Sequence, residues 1–152
     1  MAATFTFFNP ARLYVGASTN GLKPFLFNSS ASAVWKVKLV NGYVFNNDHS
    51  AFSQITNETT AANYQTGGVD LINITWTIAA SGTATFDAAD IIITASATAI
   101  TSDGAIVYNN SAAGTQAAAT TYAYVNFGGT AVAGDTTLLK ITWNAAGLME
   151  LK

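Results

Sequence analysis

The sequence predicts an all-β chain, an antiparallel β-sandwich of jelly-roll or Ig-like type with about eight to ten short strands. Three observations carry that expectation. Val, Ile, Thr and aromatic residues gather in runs of strand length, turn residues separate the runs, and no stretch sustains the 3.6-residue period of an amphipathic helix. No repeat of fixed period is visible, which excludes solenoids and propellers.

The organising stretch is Ile100–Tyr108 with Thr121–Phe127, separated by small residues from Asn109 to Thr120. Strand alternation sends Ala105 and Val107 one way and Ile106 and Tyr108 the other; in the second run Ala123, Val125 and Phe127 oppose Tyr122 and Tyr124. Both faces are apolar or aromatic, so this hairpin is expected to be central and covered on both sides.

Taken from the start, Thr4–Phe8 alternates Thr and Phe before Pro10 and reads as a first strand or an extended arm. Leu13–Val15 is a short apolar run closed by Gly16 and the Asn20-Gly21 turn, and Pro24 marks Lys23–Phe27 as an edge piece. Residues 1–30 are therefore read as an N-terminal aromatic arm or edge strands, and 31–152 as the sandwich domain. In Val34–Val40, Trp35, Val37 and Leu39 share a core face, whereas Val34, Lys36, Lys38 and Val40 share a partly solvated one. Asn41-Gly42 supplies a turn, Asn46–Ser50 a polar loop, and Phe52–Ile55 a helical turn. Val69–Ile78, Thr83–Phe86, Ile91–Thr94, Thr137–Trp143 and Leu148–Leu151 complete the strands.

Only 9% of the 152 residues are charged, against about a quarter in an average globular protein. A surface built of Thr, Ser, Asn, Gly and Ala repels its own copies weakly, which suits a chain packed among others. A net charge of -2 with six dispersed basic residues forms no patch able to follow phosphates, so no nucleic-acid partner is expected. Cysteine is absent, which removes disulfides and thiolate metal sites. The first residues have neither a basic region nor an apolar run of the export type, and no apolar run approaches the roughly 20 residues of a membrane span. A protein made in the cytoplasm, with no membrane partner, is expected.

Trp35–Val40, Ile55–Glu58, Tyr64–Gly68, Phe86–Ile91, Ile100–Tyr108, Ala123–Gly129 and Ile141–Gly147 follow one another in the chain. Taken in that order, they are similar to a family of small structural proteins encoded beside the head and tail genes of tailed bacteriophages. The resemblance implies an all-β virion component with no catalytic motif. Within that class the leading expectation is a capsid decoration or cement protein on the head exterior, made in the host cytoplasm, whose partner is the major capsid protein. A tail or baseplate subunit, or a carbohydrate-binding adhesion module using exposed aromatics, are the alternatives. Asp103-Gly104 and the Ala-rich stretch after Asn109 depart from the family pattern.

Candidate chemistry is sparse. His49 is the only histidine, and its neighbours Asp48 and Ser50 are contiguous with it on one loop, where they do not point at one another as a triad requires. Asp87 and Asp90 bracket a turn, where carboxylates accept backbone N–H bonds more readily than they hold a cation. Gly67-Gly68 and Gly128-Gly129 read as turns, and Trp35, Trp76 and Trp143 as core. No catalytic, cofactor-binding or metal-binding residue is assigned. Unspent aromatic surface points instead to self-association, as a trimer or otherwise a dimer, through Phe5, Phe7, Phe8, Tyr108, Tyr122 and Tyr124.

Overall fold

The computed structural model describes residues 4–9, 34–78, 82–110 and 120–151. Among these the chain forms ten strands: β1 Thr4–Phe7, β2 Trp35–Val40, β3 Val69–Asp70, β4 Thr75–Ile78, β5 Ala84–Asp87, β6 Ile91–Thr94, β7 Ile100–Asn109, β8 Thr120–Ala133, β9 Leu138–Ile141 and β10 Met149–Leu151. A 3-10 turn at Phe52–Gln54 stands where a helical turn is expected. The largest sheet has the order β1-β8-β7-β2-β3; β10-β5-β4 and β6-β9 form two smaller ones. Every pairing is antiparallel. The architecture is all-β and sandwich-like, with the large sheet as one layer and the two small ones facing it.

The main core lies between these layers. Trp35, Val37 and Leu39 of β2, Ala105 and Val107 of β7, and Ala123 and Val125 of β8 meet Phe86, Ile91, Ile93, Leu139, Ile141 and Met149 from across the sandwich. A second cluster occupies the outer face of the large sheet, where Val40, Ile106 and Tyr124 pack with Phe8, Tyr43 and Ile55. The central hairpin is thus covered on both faces, one by the small sheets and one by the loop layer of residues 43–58. Far-ultraviolet circular dichroism is expected to show less than about a fifth helix; more would contradict this architecture.

Three departures from the expected pattern have identifiable causes. In the β7–β8 register, Val107 faces Ala123 but Tyr108 faces Thr121, so Tyr122 is an extra residue in a bulge. The bulge turns Tyr122 onto the Ala123 face, in the main core against Trp35 and Phe7, rather than onto the face of Tyr124. The expected single run over Val69–Ile78 is two strands in different sheets, because Asn73 takes a left-handed φ of 53°. Leu71 still donates to the Trp35 carbonyl (2.8 Å), whereas the Ile72 carbonyl already accepts from Ala89 (2.9 Å). Lys38, expected on a partly solvated face, is 3% exposed because the 52–58 segment lies over it.

At the N-terminus, β1 pairs with β8 of its own chain from Thr4↔Asn126 to Phe7↔Ala123. The runs expected at Leu13–Val15 and Lys23–Phe27, and the middle of the Asn109–Thr120 stretch, lie outside the described residues.

Candidate functional site

Two features of the described residues stand out, an open groove and a buried ionic centre. The groove, about 510 Å³, opens where the large sheet parts from β9. Its walls are Phe5, Phe127 and Trp143, and its floor includes Val125, Leu139, Ile141 and Leu148, which belong to the main core. The far wall is fixed. Trp143 donates through Nε1 to the Ala89 carbonyl (3.0 Å) and through its N–H to Asp90 (3.2 Å). Gly147 and Leu148 bond back to Asn144 and Phe86, both at 2.8 Å. Lys140, on the rim, pairs with Asp90 at 2.9 Å, and this bond holds the Asp90 carboxyl below the usual range. The groove therefore offers aromatic and aliphatic surface with its one lysine already neutralised, a composition suited to an uncharged partner surface rather than to a charged ligand.

The ionic centre lies on the opposite face of the large sheet. Lys38 Nζ donates to the Ile55 carbonyl (2.9 Å), stands 3.5 Å from Glu58, and sits 3.9 Å above the Phe52 ring. Glu58 in turn accepts from Tyr64 Oη (3.1 Å) and the Gly67 N–H (2.6 Å). Tyr64 Oη also accepts from the Leu39 N–H at 2.9 Å, and Tyr108 Oη donates to the Gly67 carbonyl. Burial pulls Lys38 below its ordinary 10.5 although Glu58 opposes the shift, and burial raises Tyr43, Tyr64, Tyr122 and Tyr124 above 10.0.

The pH dependence follows from these directions. The four tyrosines keep protons in the folded state that the unfolded chain releases near pH 10, so their contribution is complete below that pH and lost above it. Lys38 acts in reverse. Its folded form binds fewer protons below 10.5, so its contribution rises as pH climbs towards that value. With four groups against one, the melting temperature is expected to fall steeply between about pH 10 and pH 12; a flat profile would contradict the burial of these hydroxyls.

The sequence-predicted residues are dispersed. Phe5 and Phe7 are half-buried at the groove side of β1, packed on the main core. Phe8, Tyr108 and Tyr122 are fully enclosed by their own chain, and Tyr124 is nearly so. In this conformation these four spend their surface internally, so Phe5 and Phe7 are the members of the expected interface set left partly accessible. Asp48, His49 and Ser50 bond to three different partners: Asp48 to Asn9 (3.0 Å), His49 Nδ1 to Tyr43 Oη (2.8 Å) and Ser50 Oγ to Gln54 (3.2 Å). No triad geometry results. Because His49 also anchors Thr121 through its carbonyl (2.6 Å), a bond that survives side-chain truncation, His49→Ala is expected to cost only about 1 kcal/mol in thermal unfolding. A much larger loss would mean that the ring holds more than Tyr43.

Asp87 accepts the Ala88 N–H (2.8 Å) within the turn, as the turn reading expects, whereas Asp90 accepts the N–H of the sequence-distant Trp143 (3.2 Å). Trp35 is fully buried, while Trp76 and Trp143 are half-buried against the main core. Among the described residues no group of three or more His, Asp or Glu is placed to hold a metal ion, and no helix is long and apolar enough to cross a membrane. All three described lysines are paired, Lys36 with Asp70 (2.5 Å), Lys38 with Glu58 and Lys140 with Asp90. The ionic centre escaped the sequence reading. Its one available signal was a lysine at an alternating position beside Tyr64 and Glu58, whose proximity depends on long-range folding.

Compared with protein-family models, curated proteins and solved structures, the chain has no match in any of the three.

Proposed function

We propose that the chain is a non-enzymatic structural component of a tailed-phage particle, a decoration protein that seats on the outside of the head and bridges capsomers of the major capsid protein. It works as a homo-oligomer, a trimer in preference to a dimer. The observation that carries this reading is where the family-like pieces of sequence fall. Trp35–Val40, Ile55–Glu58, Tyr64–Gly68 and Ile100–Tyr108 meet around the Lys38–Glu58 centre. Phe86–Ile91 and Ile141–Gly147 meet at the Asp90–Trp143 junction. These are fastenings between layers, and side chains spent on fastening leave a protein that acts through its surface.

That surface supports the same reading. Every described lysine is neutralised by a carboxylate, and the groove beside β1 presents Phe5, Phe127 and Trp143. Weak self-repulsion and an aromatic cleft favour association with other protein surfaces. The test is location. Antibody-gold labelling of phage particles, or density left over after the capsid shell is fitted, is expected to place the protein on the head; labelling confined to the tail replaces this reading with the tail-subunit one, and particles lacking the protein altogether reject both.

A further inference from the structure

The turn that takes the chain off β2 is Asn41-Gly42, and Asp103 is built against it. The Gly42 N–H donates to Asp103 Oδ2 at 2.7 Å, and Gly42 has a φ of +75°. Asp103 sits at the second irregularity of the β7–β8 register, between Ser102 and Gly104. The fully buried Ser102 hydroxyl fixes that spot, reaching the carbonyls of Val40 (2.9 Å) and Gly104 (2.7 Å). The other oxygen of the carboxylate, Oδ1, is buried with no hydrogen-bond partner. A carboxylate on a partly exposed residue, one oxygen held by a backbone N–H and the other buried without a partner, calls for an explanation beyond packing. On the other side of the turn, Asn41 is exposed, its N–H bonded to the Asn57 carbonyl at 2.9 Å. No described residue holds its side-chain amide.

We propose that Asn41-Gly42 is a self-modifying turn, deamidated with Asp103 as the general base. The Gly42 nitrogen gives its proton to Asp103 and bonds to Cγ of Asn41. The Cγ–Nδ2 bond breaks, and the nitrogen leaves as ammonia with the proton returned from Asp103. Water then opens the resulting five-membered imide at either carbonyl, leaving aspartate or isoaspartate at position 41. No electrons are transferred, and water is the one co-reactant. Glycine suits the attack because it puts no side chain beside the nucleophilic nitrogen. A carboxylate already within hydrogen-bond reach of the proton to be removed meets the geometric requirement for general-base catalysis.

The product places a second carboxylate beside Asp103, and like charges at such range repel. The Gly42–Asp103 bond is then weakened, and with it the joint between the large sheet and the loop layer over the second core. Modification thus loosens that layer as the protein ages.

The test uses the full chain at neutral pH, following the mass gain of exchanging NH2 for OH. Position 41 is mapped with a protease other than trypsin, since no Lys or Arg lies between Lys38 and Lys140. Asn41 is expected to react at least about tenfold faster in the folded chain than in the same chain unfolded in guanidinium, where Asp103 is no longer beside it. Asp103→Asn, which can still accept the Gly42 N–H but is not a base, is expected to slow the folded reaction by a similar factor. Equal rates in folded and unfolded wild-type chain overturn the proposal, as does a folded Asp103→Asn protein that ages at the wild-type rate. If that variant does not fold, the wild-type comparison decides alone.

Discussion

Glu58→Ala is expected to be among the most damaging single substitutions in the chain, costing about 3 kcal/mol and lowering the melting temperature by on the order of 10 °C. The reason is what it strands. Lys38 is left with the Ile55 carbonyl and the Phe52 ring but no carboxylate, while Tyr64 Oη and the Gly67 N–H lose their acceptor. Release of the proton from Lys38, already favoured by burial, limits the loss to the lower end of the range for broken buried pairs. Lys38→Met should cost less than Glu58→Ala, because Glu58 keeps both of its other donors and the new side chain refills the space. Thermal or guanidinium unfolding of the two variants checks the order; a Lys38→Met protein less stable than Glu58→Ala would show that the ammonium, not the carboxylate, is the hub.

Gly68→Ala is expected to be at least as severe, about 4 kcal/mol or outright failure to fold. A Cβ at this position would lie 2.2 Å from the Val37 carbonyl oxygen and 2.7 Å from its carbon, both backbone atoms of β2, and the residue has a φ of +87°. The strand cannot retreat without losing the Val37↔Val69 pairing beside it. Gly82 is the control, since it has nearly the same φ of +85° but nothing within 4 Å of an added methyl. Gly82→Ala should cost only the left-handed conformation, about 1–2 kcal/mol. The difference between the two, measured by denaturant unfolding, isolates the close approach of the chain to β2; similar costs at both sites would refute it.

The hairpin, the strand count and the core face of β2 were legible because each depends on nearest-neighbour chemistry, with β-branched and aromatic residues alternating between turn residues. What escaped depends on contacts across long stretches of chain. Alternation places Lys38 opposite Val37 and Leu39, and nothing local says that residues 52–58 return to cover it. The bulge at Tyr122 is equally silent, since Thr121-Tyr122-Ala123 continues the alternation without a glycine to mark the extra residue. That single slip moves Tyr122 from the expected outer face to the main core. Phe8 and Tyr108 of the expected interface set were read as surplus aromatic surface, whereas within the single chain the loop layer and residues 52 and 67 enclose them. Of the groove, Phe5 was legible as surplus aromatic surface. Phe127 and Trp143, from distant parts of the chain, were read as strand and core residues.

The pairing of β1 with β8 also constrains how the protein can be made. Thr4 meets Asn126 and Phe7 meets Ala123, so the first strand has no partner until most of the chain has been synthesised. At typical elongation speeds of about 5–20 residues per second, that interval is on the order of 6–24 s. Throughout it, Phe5, Phe7 and Phe8 travel on a nascent chain that cannot yet bury them. Translation speed and early capture by chaperones should therefore govern the yield of soluble protein more than the stability of the finished fold does.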